Sequence, residues 1–225
     1  MAEQALARSS ADGCVVIADQ STSANLRWAN NTLTTNGVTH AHQLTVIATV
    51  AGATGTAAGV VSRGGVTVEG LESLVVAAEH AARSNPPATD AQPLVEPWTQ
   101  SQGPGWEAAP AETTMAVFSN FAPSLGHAFE QAAGDDRLLF GFAQHQLRST
   151  YLASSTGLRL RHDQPTGYIE LNGKSRDYAR SAWTGVATQD FSGIDMVGFD
   201  RLLAERLAWA ERRVELPAGR YETLV

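Results

Sequence analysis

Apolar residues recur along this chain with two periods, and the alternation between them divides it. Leu71, Leu74, Val75, Ala78 and Ala82 fall on one helical face, so Val68–Ser84 is predicted as a helix that Asn85-Pro86-Pro87 stops. Before it the period is closer to two. Cys14–Ala18 and Asn25–Ala29 read as strands on either side of a polar segment, Asp19–Ala24, and Thr32–Thr35 ends at Asn36-Gly37, a strong two-residue hairpin signal. The reading is an antiparallel meander with a polar tip. Val38–Val50 is rich in Val, Ile and Thr, as strands are. Gly52, Gly55 and Gly59 then punctuate the run into a further strand, Ala57–Arg63, and predict a bulge or a close backbone approach. Met1–Arg8 reads as the tail of a short helix.

Between Asn85 and Pro110 the composition shifts to Pro, Ser, Gln, Thr and Gly, with Trp98 and Trp106 inside. Such a segment is a linker or an extended crossing, and its two tryptophans predict that it is pinned to a surface. Helical order returns over Thr113–Ala133, with Phe118, Phe121, Leu125, Phe129 and Ala132 as the stripe, Pro123 dividing it and Gly134 ending it. Strand-like runs follow at Leu138–Leu147, Thr150–Ser154, Leu158–Arg161, Tyr168–Leu171 and Arg176–Val186. Ser155-Thr156-Gly157 and Asn172-Gly173 are the predicted turns, the second a type I′ hairpin by composition. Gly198–Arg213 is an amphipathic helix, and Glu222–Val225 begins another strand-like run. The fold class is α+β: a small antiparallel sheet with a packed helix, then a mainly antiparallel β unit flanked by helices. The linear division is residues 1–87, a proline-rich linker at 88–112, and residues 113–225.

Charge and cysteine usage narrow the function classes. The 16 Lys and Arg face 23 Asp and Glu, a net charge of -7, which opposes a surface built to hold nucleic acid. The single cysteine, Cys14, excludes a disulfide framework and suits a reducing cytoplasm. Met1–Ser10 lacks the apolar segment of a signal peptide, and the Gly-, Ala- and Thr-rich run Leu44–Val61 is too weakly apolar for a membrane span.

Candidate chemistry is sparse. His40 and His42 stand two apart, so on a strand they share a side. Two readings stand for them, a partial metal site and a solvated strand face. His145 and His162 are isolated, surface or half-buried, and His162-Asp163 is an acid–base pair with no nucleophile directed to it. Ser21-Thr22-Ser23 lacks the glycines of a phosphate loop and reads as the polar tip. Arg27 and Trp28 fall on opposite faces of their strand, one packing and the other facing solvent or a carboxylate.

Several ordered pieces resemble one family. Ser21-Thr22-Ser23, then Leu26-Arg27-Trp28-Ala29-Asn30-Asn31, then Thr35-Asn36-Gly37-Val38 follow an N-terminal signature. Arg180-Ser181-Ala182-Trp183-Thr184-Gly185, Phe191, Asp195, Trp209-Ala210 and Glu215-Leu216-Pro217-Ala218-Gly219-Arg220-Tyr221-Glu222 follow its later order and spacing. The chain thus resembles the TldD/PmbA family, bacterial and archaeal proteins of the zinc metalloprotease type also described as modulators of DNA gyrase. The resemblance covers about Val15 to the last residue and is nearest the PmbA-type (TldE-type) subunit.

That resemblance implies proteolysis of unfolded or modified peptides by paired subunits, one carrying zinc and one completing the substrate chamber. The family's metal site is an HExxxH helix motif with a later Cys, which this chain lacks; His127-Ala128-Phe129-Glu130 is a decoy without the second His. No catalytic or metal residue is therefore assigned here. Zinc is expected in the catalytic subunit or in a C-terminal domain that would follow residue 225. The expected partners are a related TldD-type subunit or a second copy of the chain, and an extended peptide, with neither nucleic acid nor membrane. The front half of a zinc peptidase and a non-proteolytic, protein-binding regulator of the gyrase-modulator type are the alternatives. Arg27 and Trp28 read as structural or interface residues, and the resemblance implies that the region of Trp183 and Gly185 supports the wall of a substrate cleft, where a strand edge can add an extended peptide; Arg27, Trp28, Trp183 and Gly185 are thus the candidate substrate-cleft or interface residues. An ordinary antiparallel sheet is the other reading of that stretch.

Overall fold

The computed structural model describes residues 1–97, 105–212 and 214–223. Its elements are α1 (Ala2–Leu6), β1 (Gly13–Ala29), β2 (Thr32–Gly52), β3 (Gly55–Gly64), α2 (Leu71–Ser84), a 3-10 turn (Met115–Phe118), α3 (Ala122–Gly134), β4 (Arg137–Ser154), β5 (Arg159–Ser175), β6 (Ser181–Thr188) and α4 (Met196–Trp209). Among the described residues the strands form one six-stranded antiparallel sheet in the order β3-β2-β1-β4-β5-β6, so the class is α+β.

The strands are longer than the sequence pattern suggests, and the reason is parity. In β1 the buried positions Cys14, Val16, Ala18, Thr22, Ala24, Leu26 and Trp28 keep the two-residue register across the polar stretch, with Gln20 the one exposed member of that face. Asp19, Ser21 and Ser23 occupy the other face, so the expected polar tip is an uninterrupted strand. The turn comes later, at Asn30-Asn31, where both residues have positive φ (51° and 57°), as a type I′ turn requires. Asn31 also stands in for a strand residue. Its side chain donates to the Arg137 carbonyl at 2.9 Å and accepts the Leu139 N–H at 2.6 Å. Asn36-Gly37, the expected hairpin, lies inside β2.

Asn172-Gly173 is likewise not a turn but the interior of β5, paired with Trp183 and Ala182. It packs under α4, where a Cβ on Gly173 would stand in contact, at 3.4 Å, with both Leu203 and Leu207. The close approach expected near the early glycines occurs at Gly59, where a Cβ would clash with the Ala78 carbonyl and the Ala82 amide of α2. Ser155-Thr156-Gly157 does connect β4 to β5, with Gly157 at φ 98°. The helical stretch is in two pieces as expected, the 3-10 turn Met115–Phe118 and α3, and Pro123 stands in the first turn of the second, where proline suits the helix.

The chain divides into two compact units, each assembled from three separated stretches. Unit 1 holds Met1–Ala24, Val38–Thr114 and His145–Thr166; unit 2 holds Asn25–Gly37, Met115–Gln144 and Gly167–Val225. Against the linear order 1–87, 88–112 and 113–225, residues 25–37 group with the second unit and residues 145–166 with the first. The described parts of the proline-rich segment group with unit 1. The unit 1 core is made of small apolar residues from α1, β1, β2 and α2, joined by Trp106. Trp106 is 9% exposed, so this part of the segment is pinned as expected; Trp98 lies outside the described residues. In unit 2 the core is aromatic: Phe118 and Phe191 stand 4.9 Å apart, and Phe121 contacts both as well as Trp28.

No helix among the described residues is long and apolar enough to cross a membrane. Glu222 and Thr223 are not in a strand; Leu224 and Val225 lie outside the described residues.

Candidate functional site

Three of the four residues singled out from sequence share one surface, the outward face of the sheet in unit 2. Arg27 on β1 is exposed, and its guanidinium lies 4.6 Å from the centre of the Phe142 ring on β4. Phe142 in turn stands 5.7 Å from Tyr168 on β5. On the same face Lys174 lies 5.1 Å from the Phe140 ring and 5.5 Å from that of Tyr178. Trp183 on β6 is 52% exposed, and its indole N–H donates to Glu170 at 3.3 Å. The result is a surface of rings with cations laid over them, on rigid strands.

Gly185 is explained by this arrangement. It faces Glu170 across the β5–β6 pair, and a Cβ there would stand 2.8 Å from the Ile169 carbonyl and 2.9 Å from the Trp183 ring. The glycine lets the indole fold over the strand. Trp28, by contrast, points inward and is 2% exposed, packed against Phe121 and Phe129 at 6.4 Å each. Its ring crosses Gly141, and its N–H has no acceptor among the described residues. It is a plate of the core and does not reach the surface that holds Arg27.

β6 is the last strand of the sheet, and its register decides which backbone groups it leaves unused. The Ser175 N–H donates to the Arg180 carbonyl at 3.2 Å, so the even-numbered residues of β6 bond to β5. The peptide groups of Trp183, Gly185 and Ala187 therefore face the outer edge. Arg206 of α4 donates to the Trp183 carbonyl, which, among the described residues, leaves Gly185 and Ala187 as the open part of that edge. An exposed edge of this kind is a template for one more strand.

The charged residues near the end of β5 offer less. A cleft of about 450 Å³ is bordered by Arg137, Ser175, Arg180, Leu207 and Glu211. Arg137 is bound by Asp200 at 2.6 and 2.9 Å and by Asp135 at 2.9 Å, and these bonds hold its pKa above the usual value despite burial. Arg180 is paired with Glu211. The cations of this cleft are already neutralised.

Among the described residues no three His, Cys, Asp or Glu side chains lie together in a way that could hold a metal ion. His40 and His42 are both exposed and border one cleft with Gln20 and Ser21. His127 pairs with Glu130 on the surface of α3 at 3.7 Å. His145 is buried rather than half-exposed, its Nδ1 2.7 Å from the Thr113 hydroxyl. Asp163 turns from His162 and binds Ser149 and Arg161, while His162 meets Gln164. Apart from Trp183, the outward aromatics Phe140, Phe142, Tyr168 and Tyr178 carry no signal in the sequence that singles them out. In Leu139-Phe140-Gly141-Phe142-Ala143 both faces are apolar, so the pattern carries no sign of which one is out.

The architecture has solved counterparts. TldE from Thermococcus kodakarensis is similar over 90% of this chain and 45% of its own, with a TM-score of 0.69 and 14% identity. A candidate modulator of DNA gyrase from Bacteroides thetaiotaomicron matches 92% of this chain and 47% of its own, with a TM-score of 0.64 and 13% identity. Another such candidate, from Thermotoga maritima, matches 87% and 44%, at 0.58 and 12%. The fold is of the TldD/PmbA type. At these identities the likeness speaks for the fold alone, and the chain spans about half the length of the TldD/PmbA-type structures it matches. No protein-family model and no curated protein matches the sequence.

Proposed function

We propose that this chain is the N-terminal part of a TldD/PmbA-type peptidase subunit, and that it holds an extended peptide for a metal centre carried elsewhere. The observation that carries the reading is the open edge of β6 at Gly185 and Ala187, beside the exposed Trp183. A peptide added there gains backbone hydrogen bonds whatever its sequence, and the ring-and-cation face flanks the added strand. The described residues offer no zinc ligand set, so no catalytic step is assigned to them. In this reading the zinc belongs to a related TldD-type subunit or to a domain beyond residue 225, and the location is cytoplasmic. The likeness to TldE supports the assignment to the subunit without the metal motif.

Hydrogen exchange of the full chain tests it, with and without an excess of an unstructured 15-residue peptide rich in Ser, Gln and Val. Each new backbone bond contributes about 0.5–1.5 kcal/mol. The amides of Gly185 and Ala187 should then exchange about three- to tenfold more slowly. Unchanged exchange there at millimolar peptide removes the reading. A second reading, a regulator that binds a protein rather than a substrate, draws on the two neighbours described as candidate gyrase modulators. It requires an effect on gyrase supercoiling in the absence of any peptidase pairing.

A further inference from the structure

Residues 105–113 of unit 1 form neither helix nor strand, and the sheet holds them by their main chain. Arg161 donates to the carbonyls of Gly105 (2.7 Å), Ala108 (2.9 Å) and Ala109 (2.8 Å). The Tyr151 hydroxyl also donates to Ala108, at 3.0 Å. Ser149 accepts the Ala111 N–H at 2.8 Å, and Thr22 accepts the Thr113 N–H at 2.7 Å. Near its two ends the segment is also held by its own side chains. Trp106 is buried edge-on to Tyr151 at 5.6 Å, and the Thr113 hydroxyl meets His145. Between them Ala108, Ala109 and Glu112 are exposed. The segment is therefore recognised as a peptide is, by an aromatic anchor and its backbone.

The gripping side chains are oriented by the sheet itself. Asp163 accepts from Ser149 at 2.6 Å and from Arg161 at 3.2 and 3.0 Å. The guanidinium also lies 5.2 Å from the Tyr151 ring, and the Arg161 side chain is 8% exposed. Its remaining N–H groups need carbonyls, because an unpaired buried cation is costly. In the segment a turn gathers them: the Ala108 N–H donates to the Gly105 carbonyl at 3.0 Å, and Gly105 has φ 74°. Two clefts run alongside the segment, one of about 350 Å³ by Met1–Gln4 and Gln20, the other of about 210 Å³ by Ser21 and His42.

We propose that this face of unit 1 is a peptide-binding groove and that residues 105–113 are its tethered occupant. Its ligand is a short peptide that makes the same turn, a glycine and an aromatic residue followed by small residues and proline, which exchanges with the tether in trans. The groove is distinct from the β6 edge and does not rest on it.

The first test uses the unmodified full chain and the synthetic peptide Gly-Trp-Glu-Ala-Ala-Pro-Ala-Glu-Thr. As the peptide is titrated to millimolar concentration, the chain's own amides at Ala111 and Thr113 should exchange at least tenfold faster, while β4 and β5 keep their protection. Unchanged exchange at those amides overturns the proposal, whatever happens at Gly185 and Ala187. The second test measures affinity for the labelled peptide. A weakened tether leaves a larger competent fraction, so Trp106→Ala should bind at least tenfold more tightly than the parent. Adding Arg161→Gln to it should abolish binding, as should N-methylation of the peptide at the position of Ala111. A folded Trp106→Ala chain with no gain in affinity counts against the groove; if that variant does not fold, the exchange result on the parent chain decides.

Discussion

The two units close their half-sheets with opposite chemistry. Unit 2 uses rings: Phe118, Phe121 and Phe191 are each buried to 2% exposure or less and pack at 4.9 to 6.4 Å. Unit 1 has a core of Ala, Val and Leu and completes it with fixed polar groups, Glu79 over Ser9 and Ser10, and Arg161 over the 105–109 carbonyls. Ring packing depends on volume and admits no substitute. Polar closure depends on hydrogen-bond geometry, which another backbone can reproduce. The aromatic unit therefore suits a fixed scaffold, and the polar unit suits exchange.

The largest effect should come from the rings. Phe121→Ala removes the side chain that joins Phe118, Phe191 and Trp28, at a cost of about 3–5 kcal/mol. The denaturant midpoint measures it, and a loss below about 1 kcal/mol would break the contrast between the units.

Next comes the buried carboxylate of unit 1. Burial pushes the pKa of Glu79 up, but bonds from the Ser10 N–H (2.6 Å), the Ser10 and Ser9 hydroxyls (2.9 and 3.0 Å) and Arg83 (3.2 Å) outweigh it and hold the value down to about 2. A depressed pKa stabilises the fold above the unfolded-state value, and that stability disappears as the pH falls through the folded-state value. The Glu79 contribution, on the order of 3 kcal/mol, is thus complete at neutral pH and fades between about pH 4.5 and pH 2. Glu79→Gln should lower stability at pH 7 by about 2–3 kcal/mol and flatten that acid arm. Denaturant titrations at pH 7, 4 and 3 measure both; an unchanged acid arm would assign the pH dependence to other carboxylates.

What the sequence made legible follows from which signals compete. Helix α2 was readable because its stripe has no rival, and the α+β class followed from it and the Val- and Thr-rich runs. Ser155-Thr156-Gly157 turns as its composition predicts, but the two Asn-Gly pairs do not, because local turn propensity is set against tertiary bonds. Asn36-Gly37 and Asn172-Gly173 carry the stronger dipeptide signal, yet Asn30-Asn31 turns because Asn31 bonds two groups of β4, more than 100 residues away. Arg27, Trp183 and Gly185 share a face, while Trp28 packs in the core, as strand alternation requires of one member of the Arg27-Trp28 pair. The array on Arg161 was illegible, since Thr22, Ser149, Arg161 and Asp163 come from three strands and meet only through pairing. Asn31→Ala tests the turn. It should cost about 1–2 kcal/mol, from two bonds and a positive φ, while Asn36→Ala stays within about 0.5 kcal/mol. Equal effects at both positions would return the turn to Asn36-Gly37.

The smallest effect sharpens the comparison most, because each unit lays an arginine over a ring. Arg161 stands 5.2 Å from Tyr151 and is buried, with carbonyls at its N–H groups; Arg27 stands 4.6 Å from Phe142 and is exposed. The same cation–ring pairing should therefore differ in weight by its surroundings. Water competes for the Arg27 guanidinium, so Arg27→Gln should cost only about 0.5–1 kcal/mol. Arg161→Gln removes a buried guanidinium together with its pair to Asp163 and its carbonyl bonds and should cost more, about 1–3 kcal/mol. Measured side by side in the same denaturant, equal losses would mean that the ring contact alone sets the energy and that unit 1 has no special grip. A clear gap, with Arg27→Gln near the lower bound, would leave Arg27 free to act outward, toward whatever strand is added beside β6.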